Sequence, residues 1–249
     1  LNALSDAGQA IWLDYIRRDI LDDGTLARYI SDLCVTGLTS NPSIFDKAIT
    51  GTDLYDASIR GTDAEAVFFD LAIDDLSRAA DLLRTAWDVT DGTDGCVSLE
   101  VSPLLAADAA TTIDQGTALF NRADRPNLMI KVPGTPESPE AIEELIFRGI
   151  NVNVTLLFDD VQYRRAAEAY IAGIRRRLEA GLDAKVFSVA SVFISRWDTP
   201  TAKLVDDTLA NRLGIACGVR CHRACEDIFT GDAFAALAEQ GARRQKLLL

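Results

Sequence analysis

Histidine is almost missing from this sequence: His222 is the only one among 249 residues, which sets aside a multi-histidine zinc site and a histidine-based catalytic triad. Basic residues are also scarce, 25 Lys and Arg against 38 Asp and Glu, for a net charge of -13. Nucleic-acid binding draws on clustered cations that release counterions, so this balance argues against a phosphate-backbone binder. A small anionic substrate remains compatible if a few basic side chains converge. No stretch approaches about 18 consecutive apolar residues, so no membrane-spanning helix is predicted. The opening LNALSDAGQAIWLDYIRRD lacks a basic region followed by an apolar one, as a signal peptide would have, and a cytoplasmic location is the default. The five cysteines are odd in number and point to reduced thiols rather than a disulfide scaffold. No G-x-G-x-x-G or Walker-type turn follows any apolar run, which weakens the nucleotide-binding alternatives. No low-complexity linker or composition step divides the chain, so a single domain over 1–249 is expected.

What the sequence does contain is a large apolar fraction, 48%, arranged as short apolar runs alternating with longer amphipathic ones. That rhythm predicts an α/β fold with parallel pairing. Strands are expected over 11–16, 37–39, 96–101, 128–132, 152–157 and 185–194. Helices are expected over 25–33, 64–87, 106–121, 139–148, 159–180, 200–214, 216–229 and 231–239. Asp63 and Ser138 are placed to cap the helices that follow them, Pro139 suits a first turn, and Gly149 and Gly181 fall where helices should stop.

Several of these strands finish on polar side chains that do not belong in a core. They are Asp14 in IWLDY, Asn41 in LTSNPSIF, Glu100 in VSLEVSP, Lys131 in LMIKVPGT, Asn153 and Thr155 in NVNVTLLF, and Ser191 with Arg196 in SVASVFISRWD. In a parallel β/α barrel the strand ends converge at one mouth, where catalysis occurs. Lys131 stands out, because an ammonium inside LMIKVP is desolvated and a neutral amine attacks carbonyls to form Schiff bases. A buried ion pair with Glu100 or Asp14 is the alternative. A nearby carboxylate also suits aldol chemistry, which moves protons on and off a hydroxyl and a carbinolamine.

The segments GLTSNPSIFDKAI (37–49), MIKVPGTPES (129–138), GINVNVTLLF (149–158) and SVASVFISRWDT (188–199) resemble the signature blocks of bacterial transaldolases, in the same order. The resemblance runs from about Leu4 to the last residue. It implies a TIM-type (β/α)8 barrel of the class I aldolase kind, without metal or cofactor, that transfers a dihydroxyacetone unit from a ketose phosphate to an aldose phosphate. By this resemblance Lys131 is the Schiff-base lysine and Asp14 the general acid/base. Glu100 works with a water in carbinolamine formation and hydrolysis, and Thr155 orients that water. Asn41 and Asn153 hold hydroxyls of the bound unit, while Ser191 and Arg196 contact substrate and phosphate.

The chain ends in GARRQKLLL, where that family enters its seventh strand, so the barrel is expected to be incomplete at strands 7 and 8. A homo-oligomer is the assembly that would cover such an edge, and a non-catalytic binding relative is one reading of it. A transaldolase-like enzyme using another acceptor, such as a pentose phosphate, is a second. A third rests on CGVRCHRAC, whose Cys217, Cys221, His222 and Cys225 resemble ligands of a metal or iron–sulfur cluster. Cysteines four apart also share one helix face, as small packing residues do. Acidic runs 19–23 and 70–75 are read as solvated helix faces, Arg164, Arg165 and 175–177 as surface, and Trp12, Trp87 and Trp197 as packing.

Overall fold

The computed structural model describes residues 1–249, apart from the side chain of Asn2. Two compact units emerge, one of Leu1–Val101 with Gln115–Ile130, the other of Ser102–Asp114 with Lys131–Leu249. The first holds α1 (Asn2–Asp6), β1 (Ile11–Asp14), α2 (Arg18–Asp22), α3 (Thr25–Leu33), β2 (Val35–Thr39), α4 (Pro42–Thr50), α5 (Ala64–Val89) and β3 (Cys96–Glu100). Helix α6 (Ala109–Ala123) and strand β4 (Leu128–Pro133) contribute residues to both. The second continues with α7 (Ser138–Phe147), β5 (Val152–Leu157), α8 (Asp160–Glu179), β6 (Ser188–Val192), α9 (Ser195–Thr201), α10 (Leu213–Phe229), α11 (Asp232–Ala238) and β7 (Lys246–Leu248). The sheet order follows the chain from β1 to β7. Pairing is parallel for β1 with β2, β2 with β3, β5 with β6 and β6 with β7. The α/β expectation is met as a seven-stranded sheet.

Within the first unit, β1–β2–β3 run in register as Trp12↔Gly37↔Cys96 and Asp14↔Thr39↔Ser98. Leu38, Leu76, Leu83 and Leu99 are fully enclosed, so the apolar stripe of α5 closes one face of these strands. Asn127 braces the start of β4, donating from Nδ2 to the carbonyls of Ala80 and Gly95 at 2.8 Å each. In the second unit, β5 reads VNVTLL and is enclosed except at Leu156. That continuous burial is what a parallel strand covered on both faces requires. Tyr163, Tyr170 and Ile174 of α8 and Leu145 and Ile146 of α7 are all fully enclosed.

The predicted elements 25–33 and 152–157 match α3 and β5 residue for residue. Others end differently. The strand expected over 11–16 stops at Asp14, and the one expected over 185–194 is confined to Ser188–Val192. The helix expected over 200–214 does not form. Asp206 instead folds back to accept from the Thr208 backbone at 2.9 Å, and Asn211 takes a left-handed φ of 57°, so 202–212 is a string of turns. Ser138 is not a cap: it lies inside α7, its hydroxyl turned back to the Pro133 carbonyl. Asp63 does cap α5, and Gly149 and Gly181 adopt φ of 84° and 73° at the ends of α7 and α8. Among the described residues, no helix is long and apolar enough to cross a membrane.

Candidate functional site

In the first unit the side chains two apart along a strand share a face, so Asp14, Thr39, Ser98 and Glu100 stand on one side of β1–β2–β3. Asp14 is exposed and Glu100 half-buried, each the last residue of its strand. Thr39 Oγ1 and Trp12 Nε1, on that same face, are enclosed without a hydrogen-bond partner among the described residues. Asn41 follows β2 and caps α4, accepting from the Ile44 N–H at 2.9 Å through Oδ1. That bond uses its oxygen and directs the amide NH2 elsewhere.

In the second unit Lys131 is 5% exposed inside β4. Three residues on, Gly134 donates its N–H to the Thr155 carbonyl at 2.7 Å, tying the ends of β4 and β5. Thr155 is 1% exposed and its Oγ1 has no partner among the described residues. An enclosed hydroxyl left in that state costs about 1–3 kcal/mol unless a water or ligand meets it. Asn153 is fully enclosed and its Oδ1 accepts from Ser191 Oγ at 2.9 Å, which joins β5 to β6 through side chains. Between Val154 and Leu157 the register slips, three steps on β5 against two on β6. The extra residue is Leu156, a leucine with φ of 57° and 42% exposure at the strand end. Non-glycine residues in that region are strained by about 1–3 kcal/mol and cluster at functional sites. Arg196, exposed on α9, holds its guanidinium 5.7 Å from the Phe193 ring.

The family model described as Transaldolase/Fructose-6-phosphate aldolase matches residues 11–232. The chain belongs to this family. It is 41% identical to a transaldolase of Mycolicibacterium paratuberculosis over 262 residues, covering 100% of this chain and 70% of the relative. A transaldolase of Thermobifida fusca is 41% identical over 261 residues (100% and 71%), and one of Mycolicibacterium smegmatis 42% over 261 (100% and 70%). A family enzyme is therefore what the strand-end side chains are to be judged as.

For a member of the transaldolase family, the second unit gathers Lys131, Asn153, Thr155 and Ser191 on three successive strands, and the first presents Asp14 and Glu100 on one face. Arg196 stands apart on its helix. Sequence reasoning missed Thr39, which follows the alternation from Gly37 on β2, and missed Leu156, for which the sequence carries no signal. It also misjudged two charged groups. Asp75 is not on a solvated face but fully enclosed, and Arg177, read as surface, is 8% exposed and donates to the carbonyls of Phe147 and Asp183 at 2.8 Å each. Asp75 lies on the stripe of Leu71, Ala72, Leu76 and Ala79, a position where a carboxylate persists only with partners.

The cysteine face of α10 is woven into packing. Cys221 and Cys225 are enclosed, and the Cys217 thiol donates to the Phe158 carbonyl at 2.8 Å, an acceptor shared with Trp197 Nε1 at 2.6 Å. Burial pushes the Cys221 thiol up to about 12. His222 is exposed. Among the described residues, no three His, Cys, Asp or Glu side chains are grouped as metal ligands.

Proposed function

We propose that the enzyme transfers a dihydroxyacetone unit from a ketose phosphate, such as fructose 6-phosphate or sedoheptulose 7-phosphate, to an aldose phosphate through a Schiff base on Lys131. The observation that carries this reading is a lysine 5% exposed in an otherwise apolar strand, tied at its end to the strand bearing the unpartnered Thr155 hydroxyl. A primary amine in such a place has little to do as a surface charge and much to do as a nucleophile.

The Lys131 amine adds to the ketose carbonyl, and loss of water gives an iminium. Glu100 works with a water to supply and remove the protons of the carbinolamine, and Thr155 Oγ1 has the role of orienting the catalytic water. Asp14 takes the proton of the C4 hydroxyl as the C3–C4 bond breaks, and the bond's electron pair passes into the iminium to give an enamine. The first aldehyde leaves, the acceptor aldehyde takes its place, and the same steps run backwards. Asn153 and Ser191, already joined, hold hydroxyls of the three-carbon unit, and Asn41 does so through its amide NH2. Arg196 supplies a cation for phosphate oxygens. The strand order along the chain supports reading the single domain as part of a TIM-type (β/α)8 barrel.

Borohydride added with fructose 6-phosphate should reduce the intermediate and leave a three-carbon adduct on the peptide carrying Lys131. Folded protein that gains no adduct refutes the proposal. Product masses from paired donors and acceptors then identify the acceptor, a pentose phosphate included.

A further inference from the structure

Only Tyr15, Ile16 and Arg17 separate Asp14, the last residue of β1, from Arg18, the first of α2. Arg18 is 8% exposed and held at every corner of its guanidinium. Nε donates to Asp75 Oδ1 at 3.0 Å, Nη2 to Asp74 Oδ2 at 3.0 Å, and Nη1 to Ser58 Oγ at 2.8 Å and the Leu54 carbonyl at 3.3 Å. The guanidinium lies 4.5 Å over the Tyr55 ring. Tyr55 Oη does two further things: it accepts from the backbone N–H of Arg18 at 3.0 Å and donates to Asp75 Oδ2 at 2.8 Å. Tyr55 and Asp75 are fully enclosed.

Such a cluster is weak evidence for stability, because well-packed apolar residues usually do as well or better. What it does supply is a fixed geometry, and the contact to the Arg18 backbone shows which segment is fixed. Strand β1 is four residues long, with a register irregularity between Ile11 and Trp12, and its ladder ends at Asp14↔Thr39. The ladder alone leaves the exposed carboxylate of Asp14 to be aimed from downstream.

We propose that Tyr55, Asp75 and Arg18 form a positioning cluster that aims Asp14 for proton transfer in carbon–carbon cleavage. The inference rests on the reading of Asp14 as the acid/base of that step. Cleavage breaks C3–C4, sends the electron pair into the Lys131 iminium and the C4 hydroxyl proton to Asp14. Imine formation draws on Lys131 and Glu100 instead, so misaiming Asp14 stalls the enzyme after the donor has been captured and before it is cut.

Tyr55→Phe tests this with little loss of volume. It keeps the ring beneath the guanidinium and removes only the hydroxyl that holds the Arg18 backbone and Asp75. In the full-length protein we expect kcat to fall about tenfold to a hundredfold with KM within about twofold. The borohydride adduct on Lys131 should shift from the three-carbon unit towards the intact fructose 6-phosphate skeleton. Arg177→Met, which breaks an enclosed arginine cluster in the second unit, should lower Tm while leaving the adduct three-carbon. Should Tyr55→Phe fail to fold, Asp74→Ala and Ser58→Ala each remove one hold on Arg18 and should move the adduct in the same direction by a smaller amount. A three-carbon adduct at wild-type proportion in the folded variants overturns the positioning role and leaves the cluster as packing. No adduct in the wild type overturns the underlying reading instead.

Discussion

Gly37→Ala isolates the close approach of β2 to the Trp12 indole of β1. Gly37 stands opposite Trp12, and a methyl group on its Cα would lie 2.3, 2.4 and 2.6 Å from Cε2, Cδ2 and Nε1 of the indole. Carbon atoms in van der Waals contact sit about 3.5–4.0 Å apart, and these are rigid ring atoms that cannot fold away. Either the indole moves or the two strands part. Overpacking of this kind costs about 1–3 kcal/mol, which in a protein of this size lowers Tm by about 2–12 °C. The sign is informative, because Gly→Ala at an unstrained position stabilises by about 0.4–1 kcal/mol through the unfolded chain. Trp12 and Asp14 share a face two residues apart, so the displacement should reach the carboxylate. Turnover should fall at least about tenfold, since catalysis tolerates little misplacement. Calorimetry and coupled turnover on Gly37→Ala, Trp12→Ala and the double variant form a closed cycle. With the indole gone, Gly37→Ala should be neutral or stabilising. Equal destabilisation in both backgrounds, or an unchanged Tm in the wild-type background, would refute the reasoning.

Three further perturbations probe separate features. At Leu156, glycine removes the strain of φ 57° and valine increases it, so Tm and kcat should rank glycine at or above leucine and leucine above valine; a fully active, more stable valine variant would contradict a positioning bulge. Burial raises Glu144 of α7, but hydrogen bonds from Arg148 and Arg176 outweigh it and hold the carboxyl below its ordinary range. A depressed acid contributes stability above its unfolded value and loses it as pH falls through the folded one, so the Tm gap between wild type and Arg176→Met should narrow from pH 7 to pH 3. A gap that widens on acidification refutes that assignment. Cys221, enclosed and with its thiol near 12, should resist iodoacetamide at pH 8 in the folded protein, and rapid alkylation mapped there by mass spectrometry would show α10 to be open.

The elements most legible in the sequence were those whose local signals agreed with their burial. β5 alternates branched apolar residues with Asn153 and Thr155, with a Gly149 stop before it and the Asp159 cap after it, and its bounds are readable to the residue. The segment 202–212 carried enough Leu, Ala and Lys to pass for a helix. Its fate was decided by a side chain that competes for the backbone, Asp206, and by Asn211, which tolerates the left-handed region. The short helix α2 goes unseen because its five residues are little more than a turn, with Arg18 held by partners distant in sequence, whereas α4 carries local signals that the sequence reading passed over, the Asn41 cap and Pro42 in its first turn. Asp75 was misread for the same reason as α2. A run of aspartates looks solvated until one of them meets an arginine 57 residues away.

The candidate residues were chosen as polar groups in strands, and composition alone cannot say which of those serve the fold. Position along the strand can. At the leading ends, Asn127 before β4 donates to the carbonyls of Ala80 and Gly95, Asn151 before β5 accepts from the Phe187 N–H at 2.9 Å, and Ser188 opening β6 donates to the Val152 carbonyl at 2.9 Å. Each braces backbone. Further along, the Ser191 hydroxyl has no bond to a neighbouring strand's backbone among those described and donates to the Asn153 side chain, and Thr155 keeps an enclosed hydroxyl without a partner among the described residues. The motif SVASV therefore contains two serines with different surroundings: Ser188 is enclosed, donating to the Val152 carbonyl and accepting from Gln245 Nε2 at 2.9 Å, whereas Ser191 is half-buried and donates to Asn153. A backbone brace is satisfied by the fold and can be exchanged only at a cost in stability. A hydroxyl left unmet at the trailing end imposes its cost continuously, and a water or substrate that meets it removes that cost. On this distinction Asn127→Ala and Ser188→Ala belong with variants that change Tm, and Thr155→Ala and Ser191→Ala with those that change turnover.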